Sequence, residues 1–148
     1  MWENAVSVDI AAPIEDVYGY LADFRRHAEW SYGVAEVEPS ASANAGVGSE
    51  FKASETAPFK LTTFSRITAL EPPSRIAWDA SDGRHMSVQW SFELRPMDGA
   101  TRLVERSRWQ PTSLLGTIML NLMRKRQVPK ENRQSLERIK AILEERNA

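Results

Sequence analysis

No cysteine occurs in the 148 residues, and there are only two histidines, His27 and His85. That excludes a disulfide scaffold, a thiolate zinc site, an iron–sulfur cluster and a cysteine nucleophile. It also excludes a histidine-rich metal site, since such motifs place several ligands at fixed spacing. No apolar run approaches the ~20 residues that cross a bilayer. The first residues, Met1-Trp2-Glu3-Asn4, carry neither a basic head nor an apolar stretch, so no secretory leader is expected and the expected location is cytoplasmic. An excess of one charge is missing too. Nineteen basic and twenty acidic side chains leave a net charge of −1, with no whole-chain field to favour nucleic acid. No phosphate-loop lysine motif and no Gly-x-Ser-x-Gly elbow occurs. Gly46-Val47-Gly48 resembles the start of a dinucleotide fingerprint, but Phe51 stands where a third glycine is needed and a strand follows instead of a helix.

What is present is 42% hydrophobic and 26% charged, which fits one ordinary domain over residues 1–148. Val6, Val8 and Ile10 alternate with Ser7 and Asp9, the period of a half-buried strand. Pro13 suits the first position of a helix, with Glu15 and Asp16 in its first turn, and Ile14, Val17, Tyr18 and Leu21 form its apolar face. Asp23 is placed to cap a second short helix running to Trp30, and His27 on that helix, beside Arg25 and Arg26, is expected to be solvated or capped. Strands are expected over 34–37, 51–56, 59–70, 75–80, 85–95 and 101–109. Residues 40–48 form a small, polar connection, and Pro72-Pro73-Ser74, Ser81-Asp82-Gly83 and Asp98-Gly99 form turns. The clearest strand alternates Met86, Val88, Trp90, Phe92 and Leu94 with polar neighbours.

The last element opens at Pro111-Thr112-Ser113. Leu114, Leu115, Ile118, Met119, Leu122 and Met123 make one helical stripe, and Leu136, Ile139, Ile142 and Leu143 another. Pro129 lies between them and kinks or interrupts a helix. The order is therefore strand, two short helices, about six antiparallel strands and a long C-terminal helix. Only that helix is large enough to cover the apolar face of the sheet.

Several stretches match a known family. Val6-Ser7-Val8-Asp9-Ile10-Ala11-Ala12-Pro13-Ile14-Glu15-Asp16-Val17-Tyr18, running on to Leu21-Ala22-Asp23, resembles the opening of the START-like, helix-grip superfamily, also called the polyketide cyclase/dehydrase and lipid-transport superfamily. Trp30, Gly46-Val47-Gly48-Ser49-Glu50-Phe51, the segment from Ile67 to Trp78 and Leu136-Glu137-Arg138-Ile139-Lys140 extend the resemblance over nearly the whole chain. The resemblance implies an α+β helix-grip fold, with a curved sheet of about seven antiparallel strands gripping the C-terminal helix around an apolar cavity. Members include lipid carriers, hormone receptors, polyketide cyclases and chaperone activators, so fold alone does not choose among functions.

Five tryptophans are many for this length. Trp30, Trp78, Trp90 and Trp109, with Tyr32, Phe51 and Phe92, fall on elements expected around a cavity, and large aromatics with polar tips line ligand pockets. Met86, Val88, Leu115, Met119, Leu122 and Met123 complete the expected wall, with Ser107 as a polar contact. The expected function is binding or carrying a small hydrophobic or amphipathic molecule, without a cofactor or metal. The phase of residues 101–109 sends Arg102, Arg106 and Arg108 outward to neighbours such as Glu93. It sends Leu103, Glu105, Ser107 and Trp109 inward. Phe51, Ala53 and Glu55 share a phase in the same way. An inward carboxyl has a raised pKa unless it is paired, which suits general acid–base work. Glu105 and Glu55 are therefore the catalytic candidates of an alternative reading, a cyclase- or dehydratase-like enzyme. A protein-interaction module with a filled core is the third reading.

Residues 111–148 carry eight basic and four acidic side chains, against eleven and sixteen in residues 1–110. A basic helix lying on an acidic sheet accounts for that split. The apolar run ahead of Arg124-Lys125-Arg126 has the outline of an interfacial helix. It is short and one face is needed by the sheet, so membrane contact is not expected. Either a monomer or a homodimer is compatible with the sequence.

Overall fold

The computed structural model describes residues 1–38, 45–57 and 59–147. Strand β1 (Trp2–Ile10) is followed by helix α1 (Ile14–Ala22). A 3-10 turn over Phe24–Arg26 then leads into the short helix α2 (His27–Trp30). Pro13 lies one residue ahead of its expected place: it is extended (φ −61°, ψ 147°) and caps α1 from outside. Asp23 caps the 3-10 turn that leads into α2, its carboxylate accepting from the Arg25 amide at 3.2 Å. The other strands are β2 (Val34–Val37), β3 (Glu50–Glu55), β4 (Leu61–Glu71), β5 (Arg75–Ser81), β6 (Met86–Met97) and β7 (Ala100–Pro111). The connection expected at 40–48 falls partly outside the described residues.

The seven strands form one antiparallel sheet in the order β1-β7-β6-β5-β4-β3-β2. Strands β2 to β7 therefore run as a meander, and β1 closes beside β7 with Val6 opposite Glu105. To get from β1 to β2 the chain must cross the sheet from one edge to the other, and α1 and α2 make that crossing. The β6–β7 hairpin turns at Asp98-Gly99, where Gly99 adopts φ +66°, a conformation that favours glycine. Alternation is strict along β7: Thr101, Leu103, Glu105, Ser107 and Trp109 are buried, and the residues between them face outward or are half-buried. The outward arginines meet acids across the sheet, Arg106 with Glu93 at 3.1 Å and Arg102 with Asp9 at 2.9 Å.

Residues 114–146 form one unbroken helical run: α3 (Leu114–Met119), a π-helical segment (Leu120–Arg124) and α4 (Lys125–Arg146). Pro129 lies inside it, just past the π segment, and does not interrupt it. A wider turn beside a proline is a common way to absorb the lost N–H and the ring's clash with the preceding turn.

The inward stripe of this run is Gly116, Leu120, Arg124, Val128, Asn132, Ser135, Leu136, Ile139 and Leu143, all buried. Leu136, Ile139 and Leu143 are fully buried in the main core with Ile10, Leu21, Ile76 and Phe92. Leu120 and Val128 join a smaller apolar cluster with Val88 and Trp109. The expected stripe from 114 to 123 is corrected. Leu114, Leu115, Ile118 and Leu122 are 78, 51, 45 and 70% exposed, so Leu115 and Leu122 do not line a cavity. The cause is local. Gly116 lies against the His85 carbonyl so closely that a Cβ would overlap it. The Ser113 hydroxyl bonds the His85 ring at 2.8 Å, and the Thr112 amide donates to the His85 carbonyl at 2.9 Å. This clamp sets the rotation of the first two turns and sends Gly116 and Leu120 inward.

Candidate functional site

Between the two apolar clusters the interior turns polar. The helix contributes Asn132 and Ser135, the sheet contributes Glu55, Thr63, Ser65, Glu105 and Ser107, and space opens there. An inner compartment of about 80 Å³ is lined by Trp30, Trp78, Trp90, Phe51, Glu105 and Asn132, among others. A neighbouring compartment of about 120 Å³ is lined by Met86, Val88, Trp90, Trp109, Met119 and Arg124, among others. Glu55, Thr63, Ala80 and Trp90 line both. Each is smaller than the ~300–1,000 Å³ of drug-sized sites, so the space suits a small molecule. A larger concavity of about 540 Å³ lies on the outer face of the sheet. Three arginines line it and each already holds a carboxylate: Arg75 with Glu71, Arg106 with Glu93 and Arg108 with Glu3. No buried acidic group faces it among the described residues, so the chemistry lies inside.

Glu105 is 2% exposed and makes no hydrogen bond among the described residues, its Oε1 having no partner. Burial alone pushes its pKa up to about 8, so it is mostly protonated at neutral pH. Glu55 is also raised, mainly by burial. The Thr63 hydroxyl and Arg124 work against that rise, while Glu131 and Asp82 add to it. The Nε1 atoms of Trp30 and Trp109 are buried without acceptors among the described residues. Trp78 stacks near Trp90 with centroids 6.2 Å apart, and Trp90 meets Trp109 edge-on at 5.8 Å. Together these rings form a continuous indole wall across both compartments.

Other sequence-predicted residues fall elsewhere. Phe92 is fully buried and packs behind the wall, against Trp30 and Trp78, so it is core and not surface of the cavity. Tyr32 and Met123 are half-buried and border neither compartment; the Tyr32 amide donates to the Ser135 hydroxyl at 2.9 Å. Ser107 is fully buried and accepts from Asn132 Nδ2 at 3.4 Å, tying β7 to the helix beside the cavity.

Sequence reasoning missed Asn132, Ser135, Thr63, Ser65 and Arg124. A usable signal was the helical spacing of Val128, Asn132 and Leu136, which puts Asn132 on a buried stripe. His27 is not the solvated histidine its basic neighbours suggest. It is buried among Phe24, Trp30 and Trp78, with Nε2 3.3 Å from the Leu21 carbonyl, and burial pulls its pKa down to about 4. At the rim, Asp82 Oδ1 accepts from the amides of Arg84, His85 and Met86 and orders the β5–β6 loop. Arg124 holds both oxygens of Glu131 at 2.8 and 3.0 Å, and its guanidinium lies 5.4 Å from the centre of the Trp109 ring. Among the described residues, no group of three or more His, Asp or Glu gathers as metal ligands would. None of the described helices is long and apolar enough to cross a membrane.

A sheet curled on a long helix, with a lined space between them, is what one family builds. The profile of the family described as polyketide cyclase / dehydrase and lipid transport matches residues 1–144. The chain belongs to that family. Among solved structures, an aromatase/cyclase from Streptomyces sp. R1128 superposes with a TM-score of 0.80 at 19% identity, covering 99% of this chain and 96% of that one. A protein from Thermus thermophilus gives 0.77 at 15% identity, covering 99% and 100%. The two-domain aromatase/cyclase StfQ of the steffimycin biosynthetic pathway gives 0.74 at 19%, covering 98% of this chain and 51% of that one. At these identities the likeness is one of fold. An uncharacterised protein of Mycobacterium tuberculosis (strain ATCC 25618 / H37Rv) is 33% identical over 91 residues. That stretch is 59% of this chain and 39% of the relative.

Proposed function

We propose that this family member binds a small apolar or amphipathic molecule in the two compartments between the sheet and the C-terminal helix. One observation carries the reading. The space is walled by indoles, and its lining residues include Glu105, Trp30 and Trp109, whose buried Oε1 and Nε1 atoms have no hydrogen-bond partner among the described residues. An unpaired buried polar group costs ~1–3 kcal/mol, which a ligand with a matching group removes. Apolar walls supply affinity and these atoms supply orientation. The open space argues against a filled-core interaction module. In the test, protein is titrated with the neutral probe N-phenyl-1-naphthylamine and with indole. Saturable binding with quenching of tryptophan emission is expected, and its absence for both would overturn the reading.

A second reading keeps the same cavity and adds chemistry. A buried carboxyl with a pKa of about 8 is protonated at neutral pH and can donate a proton to a bound carbonyl or leaving hydroxyl. In that case Glu105→Gln should abolish turnover while leaving probe binding intact.

A further inference from the structure

Among the described residues, the cavity lining holds no arginine or lysine that is free of a carboxylate partner. Glu105 and Glu55 face the compartment walled by Trp30, Trp78 and Trp90. The charged and titratable groups of the two compartments come from several elements: His27 of α2 and Glu55 of β3 line the inner one with Glu105, while Arg124 of the C-terminal helix, paired with Glu131, lines the second with Asp82 and His85 of the β5–β6 loop. None of them is a free cation. The His27 ring is buried and neutral. Arg124 is committed to Glu131 and to the Gln127 amide oxygen, the latter at 2.8 Å. His85 is bonded to the Ser113 hydroxyl and lies beside the Asp82 carboxylate, in the second compartment. A carboxyl that is 2% exposed therefore sits in an aromatic chamber with no counter-ion among the described residues.

Building on the ligand-binding reading above, we propose that the ligand is a small organic cation, an ammonium group on an apolar body, seated among Trp30, Trp78 and Trp90 with its charge against Glu105. An anion would meet two carboxyl groups, and the arginine on the described lining, Arg124, is already held by Glu131. A neutral ligand would need only one hydrogen bond from Glu105 and would gain nothing electrostatic from Glu55. A cation is complementary to both carboxyls and to the negative faces of indole rings, the surroundings in which ammonium groups are held most strongly. The inner compartment of about 80 Å³ is of the order of a tetra-alkylammonium head. An apolar body attached to that head extends past Glu55, Thr63, Ala80 and Trp90 into the second compartment.

A quaternary ammonium has no proton to give. When it binds, Glu105 must pass from carboxylic acid to carboxylate, and that proton leaves to solvent. Affinity then rises with pH, by up to about tenfold per pH unit below the carboxyl's own pKa, and levels off above it. A neutral acceptor held by the protonated acid shows the opposite slope.

The test compares benzyltrimethylammonium with neopentylbenzene, its neutral isostere, followed by tryptophan quenching and calorimetry from near pH 6 to near pH 9. The cation should bind about tenfold or more tighter than the isostere near pH 9. Its affinity should climb with pH, and about one proton should be released per cation bound near neutral pH, read from two buffers of different ionisation heat. Glu105→Gln should remove both the preference and the slope. If that variant is poorly folded, proton release by the unaltered protein still decides the matter. Equal or tighter binding of the isostere, or cation affinity that falls as pH rises, would overturn the cation assignment and leave the cavity reading standing. Failure of both compounds together with N-phenyl-1-naphthylamine would overturn both.

Discussion

Replacing Glu105 with glutamine keeps the shape of the side chain and removes its titration. In the folded chain burial raises this carboxyl from the ordinary 4.5 to about 8. Below about pH 4.5 folded and unfolded chains both hold the proton, and the group has no effect on pH dependence. As pH rises the unfolded carboxyl ionises first, which favours unfolding, and stability is lost until the folded group also ionises near pH 8. At ~1.36 kcal/mol per pH unit the full loss is about 5 kcal/mol, a large part of a typical ~5–15 kcal/mol total. Glu105→Gln carries no such term. Urea unfolding of both proteins near pH 5 and near pH 9 isolates it, because any packing effect of the amide cancels between the two pH values. The variant should gain several kcal/mol on the parent between acid and alkaline conditions. A stability difference independent of pH would refute the reasoning and mean that Glu105 is solvated or paired in solution.

Leu136→Ala, at a side chain only 1% exposed in the main core, should cost ~2–5 kcal/mol by denaturant unfolding. Leu122→Ala, 70% exposed, should stay within about 0.5 kcal/mol, and reversed magnitudes would mean the helix is rotated. Arg124→Met strands the largely buried Glu131 and should cost ~3–5 kcal/mol, and Arg124→Met with Glu131→Met should recover most of it. His27 should not titrate by NMR until pH falls towards 4. Because its folded pKa is depressed from 6.5, its contribution is present above pH 6.5 and lost as pH falls, by about 3 kcal/mol in all. An imidazole titrating near 6.5 would place it in solvent.

The sheet was legible because it buries one face. In sequence Met86 to Leu94 alternate apolar with polar without a break, and Arg102, Arg106 and Arg108 mark the outward phase of 101–109, so phase predicts which side chains point inward, including Glu105 and Ser107. The helix was harder. Two apolar stripes overlap between residues 114 and 123, and hydrophobicity alone favours the richer one, Leu114, Leu115, Ile118 and Leu122. The long-range contact of Gly116 with the His85 carbonyl decides the rotation instead, and it leaves that richer stripe outside. The polar half of the cavity was hidden for a related reason. Asn132, Ser135 and Thr63 are ordinary residues in sequence and become a site only when helix and sheet meet. Phe92 follows the inward phase of its strand, yet Trp30 and Trp78 stand in front of it.

Ala80 lines both compartments, so Ala80→Trp places an indole in the space assigned to a ligand. Binding isotherms of N-phenyl-1-naphthylamine to the parent and to this variant, each checked for a cooperative thermal transition, test directly whether that space is the binding site. The structure predicts saturable binding to the parent and at least tenfold weaker binding to a folded Ala80→Trp protein. Identical isotherms for the two would contradict a binding site between the sheet and the helix.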